Sequence, residues 1–186
     1  MRGGGLTVAG AIGATALGLY GLLVRGALTV DLGIGRSVRP LGPITVRIDA
    51  PHEVVYDVIA APYLHRTPRA LEAKLHVIER GADLVLAEHF TEVGRLVATT
   101  VETVRFEAPH VVHFRLVRGP VPHVVERFVL GEDDDRTTLL YTGEVGTDLW
   151  ALGRWWGRQV SVRWEAAVRS SLAAIKSEAE RRASLG

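Results

Sequence analysis

Five side chains in the middle and last third of this chain have the right chemistry to hold or move a proton: His89, Thr100, Glu102, Glu126 and Tyr141. Whether they meet depends on strand register. Residues 110–130, HVVHFRLVRGPVPHVVERFVL, read as two strands joined around Gly119-Pro120. Setting Leu116 opposite Val124 gathers Val112, Phe114, Leu116, Val124, Phe128 and Leu130 on one face, and His113, Arg115, His123 and Arg127 on the other. The apolar set must face inward, which leaves Glu126 as the single charged residue on the inner face. A two-residue turn at Gly94-Arg95 pairs Val93 with Leu96, since glycine tolerates the positive φ that such turns need. One face of that hairpin then carries Val85, Ala87, His89, Ala98, Thr100, Glu102, Val104 and Phe106. His89, Thr100, Glu102 and Glu126 thus point the same way from neighbouring strands, and Tyr141 joins them by alternating with Leu139 and Gly143.

An ionised carboxylate in an apolar cup is costly unless it is paired or hydrogen-bonded. Two such carboxylates beside a histidine can pair, share a proton, or shift their pKa values toward neutrality. The pattern therefore reads as a polar patch in an apolar pocket. The same residues admit structural readings. The strand ends can be solvated, a one-residue slip can turn the groups outward, or an arginine from a helix or the linker can neutralise them.

The elements that carry these residues follow from periodicity. Ile44, Val46 and Ile48 alternate with polar residues as a half-buried strand. Asp49 stands as an N-cap and Pro51 in the first turn of a short helix with Val54, Val55, Val58 and Ile59 on its apolar face. Pro62 and Pro68 break up a second short helical stretch that ends near Leu71. Period-two segments predict strands at 74–80, 84–93, 96–107, 111–118, 123–131 and 137–146, an antiparallel meander. Trp156, Val160, Trp164, Val168, Leu172, Ile175 and Ala179 then form a stripe along one long helix, with Arg154, Arg158, Arg163, Glu165 and Arg169 largely off it. Seven strands and one long amphipathic helix bury themselves if the sheet curls around the helix. Gly143 marks a close backbone approach in the last strand.

Composition narrows the function classes. The 186 residues carry a formal net charge of +1, with basic residues scattered and balanced by acids, so no nucleic-acid partner is expected. There is no cysteine, hence no disulfide framework and no thiolate zinc site. His110 and His113 on a strand point to opposite faces, so no metal is expected. The sequence lacks a G-x-S-x-G elbow, a P-loop and a dinucleotide fingerprint, so no cofactor is expected either.

The N-terminus differs from the rest. Residues 6–24, LTVAGAIGATALGLYGLLV, are uncharged, and at about 1.5 Å per residue a helix of that length approaches the ~30 Å hydrocarbon core. A membrane anchor over 1–25 is the leading expectation, a cleaved signal peptide and a buried or disordered tail the alternatives. Gly10, Ala14 and Gly18 would suit a weak homodimer. Arg25, Arg36 and Arg39 outnumber Arg2 and favour a cytoplasmic globular part. Residues 26–43 form a Gly/Pro-punctuated connector to a domain over 44–182.

Two stretches resemble a known family. ITVRIDAPHEVVYDVIAAPYLHRTP is similar to the opening of many bacterial polyketide cyclase/dehydrase-type SRPBCC proteins, and RTTLLYTGEVGTDLWALGRWWG with WEAAVRSSLAAIKSEAERR to their last strand and gripping helix. The resemblance covers 44–182 and implies the helix-grip fold of the START-like superfamily: α+β, a curved antiparallel seven-stranded sheet around a long C-terminal helix, here with an added N-terminal hydrophobic helix. It also implies a cavity. Combined with the register, the expected lining is His89, Ala98, Thr100, Glu102, Val104, Phe114, Leu116, Val124, Glu126, Phe128, Tyr141, Trp156, Val160 and Trp164. Three functions remain open: a membrane-tethered binder of a hydrophobic or amphipathic small molecule such as a lipid, isoprenoid or polyketide; a cyclase/dehydrase-type enzyme with Glu126, Glu102 and His89 as acid and base; or an interaction module that uses the interior only as core.

Overall fold

Strand alternation becomes a meander because each turn is chemically specified. Gly94, at φ +61°, closes the hairpin between β3 (Leu84–Val93) and β4 (Leu96–Glu107), with Val93 opposite Leu96 as expected. β5 (Val111–Arg118) and β6 (His123–Asp133) pair with Val112 opposite Phe128 and Phe114 opposite Glu126, the expected register. β2 (Leu75–Arg80), β7 (Arg136–Thr147) and β1 (Ser37–Ile48) complete one seven-stranded antiparallel sheet of order β1-β7-β6-β5-β4-β3-β2. This computed structural model describes residues 15, 17–133 and 136–185. It includes three helices among them: α1 over 17–24, α2 (His52–Leu64) and α3 (Trp150–Ala183). The arrangement is the helix-grip fold, with α3 lying along β1 and β7 and against α2.

Three local expectations are corrected. β1 is longer than 44–48 and begins at Ser37, so the second half of the connector pairs with β7. The prolines fit because β1 is an edge strand and its register shifts between Leu41 and Ile44, around Gly42-Pro43. Pro51, not Asp49, is the N-cap of α2; its carbonyl accepts from the amides of Val54 and Val55, and Asp49 pairs instead with Arg136 at 3.0 Å. There is no second short helix to Leu71. α2 runs through Pro62, which sits in its last turn, and the chain then turns through 69–74.

The long helix keeps its expected stripe: Val160, Leu172 and Ala179 are buried, while Trp156, Trp164, Val168 and Ile175 pack half-buried on the core. Its start is set by a reversal. Leu149 and Trp150 both have positive φ (72° and 47°), and the fully buried Asp148 carboxylate accepts from the amides of Leu32 (2.6 Å) and Gly33 (2.7 Å) and from Arg36 Nε (2.7 Å). Those bonds, led by the Arg36 guanidinium, hold the Asp148 carboxyl down at about 2. The amides of Leu149 and Trp150 donate to Ile34 and Gly35, so residues 32–36 are tied to the head of α3.

The expected anchor over 6–24 lies mostly outside the described residues. Within them, no helix is long and apolar enough to cross a membrane.

Candidate functional site

The site is built on five adjacent strands, β3 to β7, and two helices. Glu102 and Thr100 are carried inward by β4, where a bulge between Val101 and Glu102 buries both of those residues. The Thr100 hydroxyl donates to Glu102 Oε1 at 2.7 Å. His89 from β3 brings Nδ1 to 3.3 Å from Glu102 Oε2, close enough for ion pairing yet without hydrogen-bond alignment. Its Nε2 meets the Tyr63 hydroxyl at 2.8 Å. Burial, then the charges of Glu102 and Glu126, raises the Tyr63 pKa, so the phenol stays neutral.

Glu126 has different partners. Its Oε1 accepts from the Tyr141 hydroxyl at 2.6 Å and from the Trp164 indole N–H at 2.7 Å. Gly143, directly across from Glu126, makes the space: a Cβ there would lie 3.1 Å from Glu126 Cγ and 2.8 Å from the Val125 carbonyl oxygen. Burial pushes the Glu126 carboxyl up to about 7, helped by the charge of Glu102 and restrained by the two donors. Tyr141 is raised by burial first, then by Glu126, and remains a neutral donor.

An aromatic strip joins the two polar groups. Tyr63 contacts Phe114 (ring centroids 6.0 Å), Phe114 contacts Phe128 (5.4 Å), and Phe128 contacts Tyr141 (5.5 Å). These rings do not close the interior completely. Thr100, Phe114, Leu116, Phe128 and Val160 each keep 7–8 % of their surface accessible, as do the carboxylates at 6–7 %, whereas Val104, Val112, Leu139 and Tyr141, in the same sheet, keep none. Residual accessible surface on the inner face thus includes the two carboxylates and their neighbours. Two open depressions lie elsewhere and touch neither carboxylate. One is a groove of about 630 Å³ along β2, lined by residues that include His65, Arg66, His76, Arg80 and Phe90. The other is a pocket of about 290 Å³ between β1 and α3.

Most expected lining residues converge on the inner face: His89, Thr100, Glu102, Phe114, Leu116, Glu126, Phe128, Val160 and Trp164 lie together there, while Tyr141, wholly buried, reaches Glu126 from β7. Val104 and Val124 are sealed into the core, and Ala98 is half-buried near the β3–β4 turn. Trp156 is tied to the β5–β6 loop, where its indole N–H donates to the Pro120 carbonyl at 2.8 Å, and Tyr20 packs edge-on against it. The hypothesised arginine partner for the carboxylates is replaced by neutral donors. Tyr63 was missed, although Val55, Ile59 and Tyr63 recur in steps of four and are all buried. The outer-face residues behave as expected: His113 sits 3.1 Å from Glu107 and His123 2.8 Å from Glu144. His110 precedes β5 and stacks on His52 (5.4 Å). Among the described residues, His52, Glu53 and Glu132 have ligand atoms near enough to share a metal ion, a trio that the spacing of histidines did not reveal.

A curved antiparallel sheet closed over a long helix, with a polar patch on its inner face, is the helix-grip architecture. No protein-family model matches the sequence, and no curated protein does. Solved structures do match. The Zhui aromatase/cyclase from Streptomyces sp. R1128 superposes with a TM-score of 0.66 at 20 % identity, over 78 % of this chain and 96 % of that one. The di-domain aromatase/cyclase BexL of the BE-7585A biosynthetic pathway gives 0.62 at 18 %, over 97 % of this chain and 62 % of that one. Norcoclaurine synthase from Thalictrum flavum gives 0.56 at 12 %, over 79 % and 87 %. At these identities the likeness is one of fold.

Proposed function

We propose that the protein binds a hydrophobic or amphipathic small molecule, of lipid, isoprenoid or polyketide type, between the sheet and α3, and that residues 6–24 tether it to a membrane where such ligands reside. The observation that carries the reading is the accessible surface left around Glu126: an apolar, aromatic-floored space with a protonatable carboxyl and two polar ends. A ligand with one hydroxyl or carbonyl can exchange hydrogen bonds with Glu126 or His89 while its body lies on Phe114 and Phe128. A fluorescent fatty-acid analogue tests this. The wild type is expected to bind it saturably, and Val160→Trp, which fills the space from α3, to weaken it at least tenfold while keeping native circular dichroism. Absence of saturable binding by the wild type would leave the interior as core alone and favour the interaction-module reading.

A second reading, a cyclase/dehydrase-type enzyme, is favoured by one specific observation. Glu126 titrates near 7 beside a neutral phenol donor, while Tyr63, His89 and Glu102 form a second proton-bearing chain at the other end of the aromatic strip. In this reading Glu126 and Glu102 serve as acid and base on an enolisable ligand. Turnover of aromatic polyketide substrates should fall at least a hundredfold in both Glu126→Gln and Glu102→Gln; unchanged rates remove the enzyme reading and leave the binding reading intact.

A further inference from the structure

We propose that Arg39, Arg154 and Arg158 form a binding site for a phosphate group, separate from the interior space. The extension of β1 to Ser37 creates it. Ser37 pairs with Thr147 and Arg39 with Val145, and since Thr147 and Val145 are buried, Ser37 and Arg39 lie on the face of the edge strand that meets α3. Arg154 and Arg158 stand one turn apart on α3, and Gly157 between them lowers the floor. A Cβ at Gly157 would already lie 3.0 Å from the Thr147 hydroxyl. The result is the pocket of about 290 Å³, lined by Ser37, Arg39, Pro40, Thr147, Arg154, Gly157 and Arg158.

Three features point to an oxyanion. All three guanidiniums are exposed, and none has a carboxylate partner among the described residues. Acids on the neighbouring elements are committed: Asp148 to Arg36 and two amides, Glu144 to His123 at 2.8 Å, and Glu165 to the Gly42 amide at 3.1 Å and Arg169 at 3.8 Å. Arg36, Arg136, Arg181 and Arg182, by contrast, each face a carboxylate. Three unmatched forks on one depression, with a serine hydroxyl beside them, suit the tetrahedral face of a phosphate better than the two oxygens of a carboxylate. The volume exceeds that of a bare phosphate, so the group belongs to a small ester or to a lipid headgroup. Trp150 and Trp155, exposed at 60 % and 51 % on the same end of α3, would accompany the second.

The test uses the full chain with two kinds of probe. Calorimetry with inorganic phosphate and glycerol phosphate reads the free ester. Co-sedimentation with phosphatidylcholine vesicles, with and without phosphatidic acid, reads the headgroup, scored as the gain on adding phosphatidic acid so that any contribution of residues 6–24 cancels. The expected result is saturable 1:1 binding in at least one arm, weakened tenfold or more in R154Q/R158Q and in R39Q. The control pair R115Q/R127Q, with the same charge change on the outer face, should stay within twofold. Binding in the soluble arm identifies a free ester, and binding in the vesicle arm alone identifies a headgroup. Equal weakening by both pairs, or no saturable binding in either arm, overturns the site, and neither outcome bears on ligand binding in the interior.

Discussion

Glu126→Gln is expected to remove a pH dependence of stability that the wild type carries between pH 4.5 and about 7. The folded-state carboxyl is raised above its unfolded value, so the stability it contributes is fully present below pH 4.5 and is lost as pH rises through about 7. Across that window the wild type should lose about 3 kcal/mol relative to the glutamine variant. Glutamine keeps an oxygen to accept from Tyr141 and Trp164 but has no charge to desolvate. The check is urea denaturation of both proteins at pH 4 and pH 8. The difference between their unfolding free energies should change sharply with pH in favour of the variant; a difference that is flat with pH would mean that Glu126 is solvated, and one of opposite sign that it is paired with a cation.

Gly153→Ala should be the most damaging glycine-to-alanine change among the described residues. A Cβ at Gly153 would lie 1.7 Å from the Asp148 carbonyl oxygen and 2.7 Å from its carbon, both backbone atoms that cannot swing away. The reversal at Leu149 and Trp150 folds the head of α3 back over Asp148, and glycine is the residue that permits it. Relief requires moving α3 or breaking the Asp148 bonds to Leu32, Gly33 and Arg36, at a cost of roughly 3 kcal/mol or more. Since α3 carries Val160 and Trp164 to the interior, ligand binding should fall together with the melting temperature. Gly157→Ala, whose contact at 3.0 Å is with the Thr147 side chain, should cost far less. Thermal melts of the two variants distinguish the sites: similar losses would contradict this account of the helix start.

The inward direction of Glu126 and Glu102 was legible because strand period is two and the two hairpin turns set register without reference to anything distant. Their partners were less legible. Trp164 lies on the predicted stripe, yet which ring of that stripe stands over Glu126 depends on the rotation and slide of α3 against the sheet, which the Asp148 clamp decides. His89 and Glu102 meet as the β3–β4 register required, since His89 stands opposite Thr100 and Glu102 lies two residues along β4 on the same face. Tyr63 escaped notice because the prolines at 62 and 68 read as helix breaks, although its spacing from Val55 and Ile59 already placed it on the buried face. The arginine pocket was hidden for a related reason. Pro40, Gly42 and Pro43 read as connector, and only the edge position of β1, where missing donors go unpunished, allows the strand to reach Ser37 and carry Arg39 to Arg154 and Arg158.

Native mass spectrometry of the full chain after mild detergent extraction tests the central claim most directly. A substantial share of the protein should carry one bound apolar molecule, released on denaturation as a lipid, isoprenoid or polyketide mass and absent from Val160→Trp. A wild-type protein that flies only at its own mass, and stays there when those ligand classes are added, would contradict the claim that the space around Glu126 is a binding site.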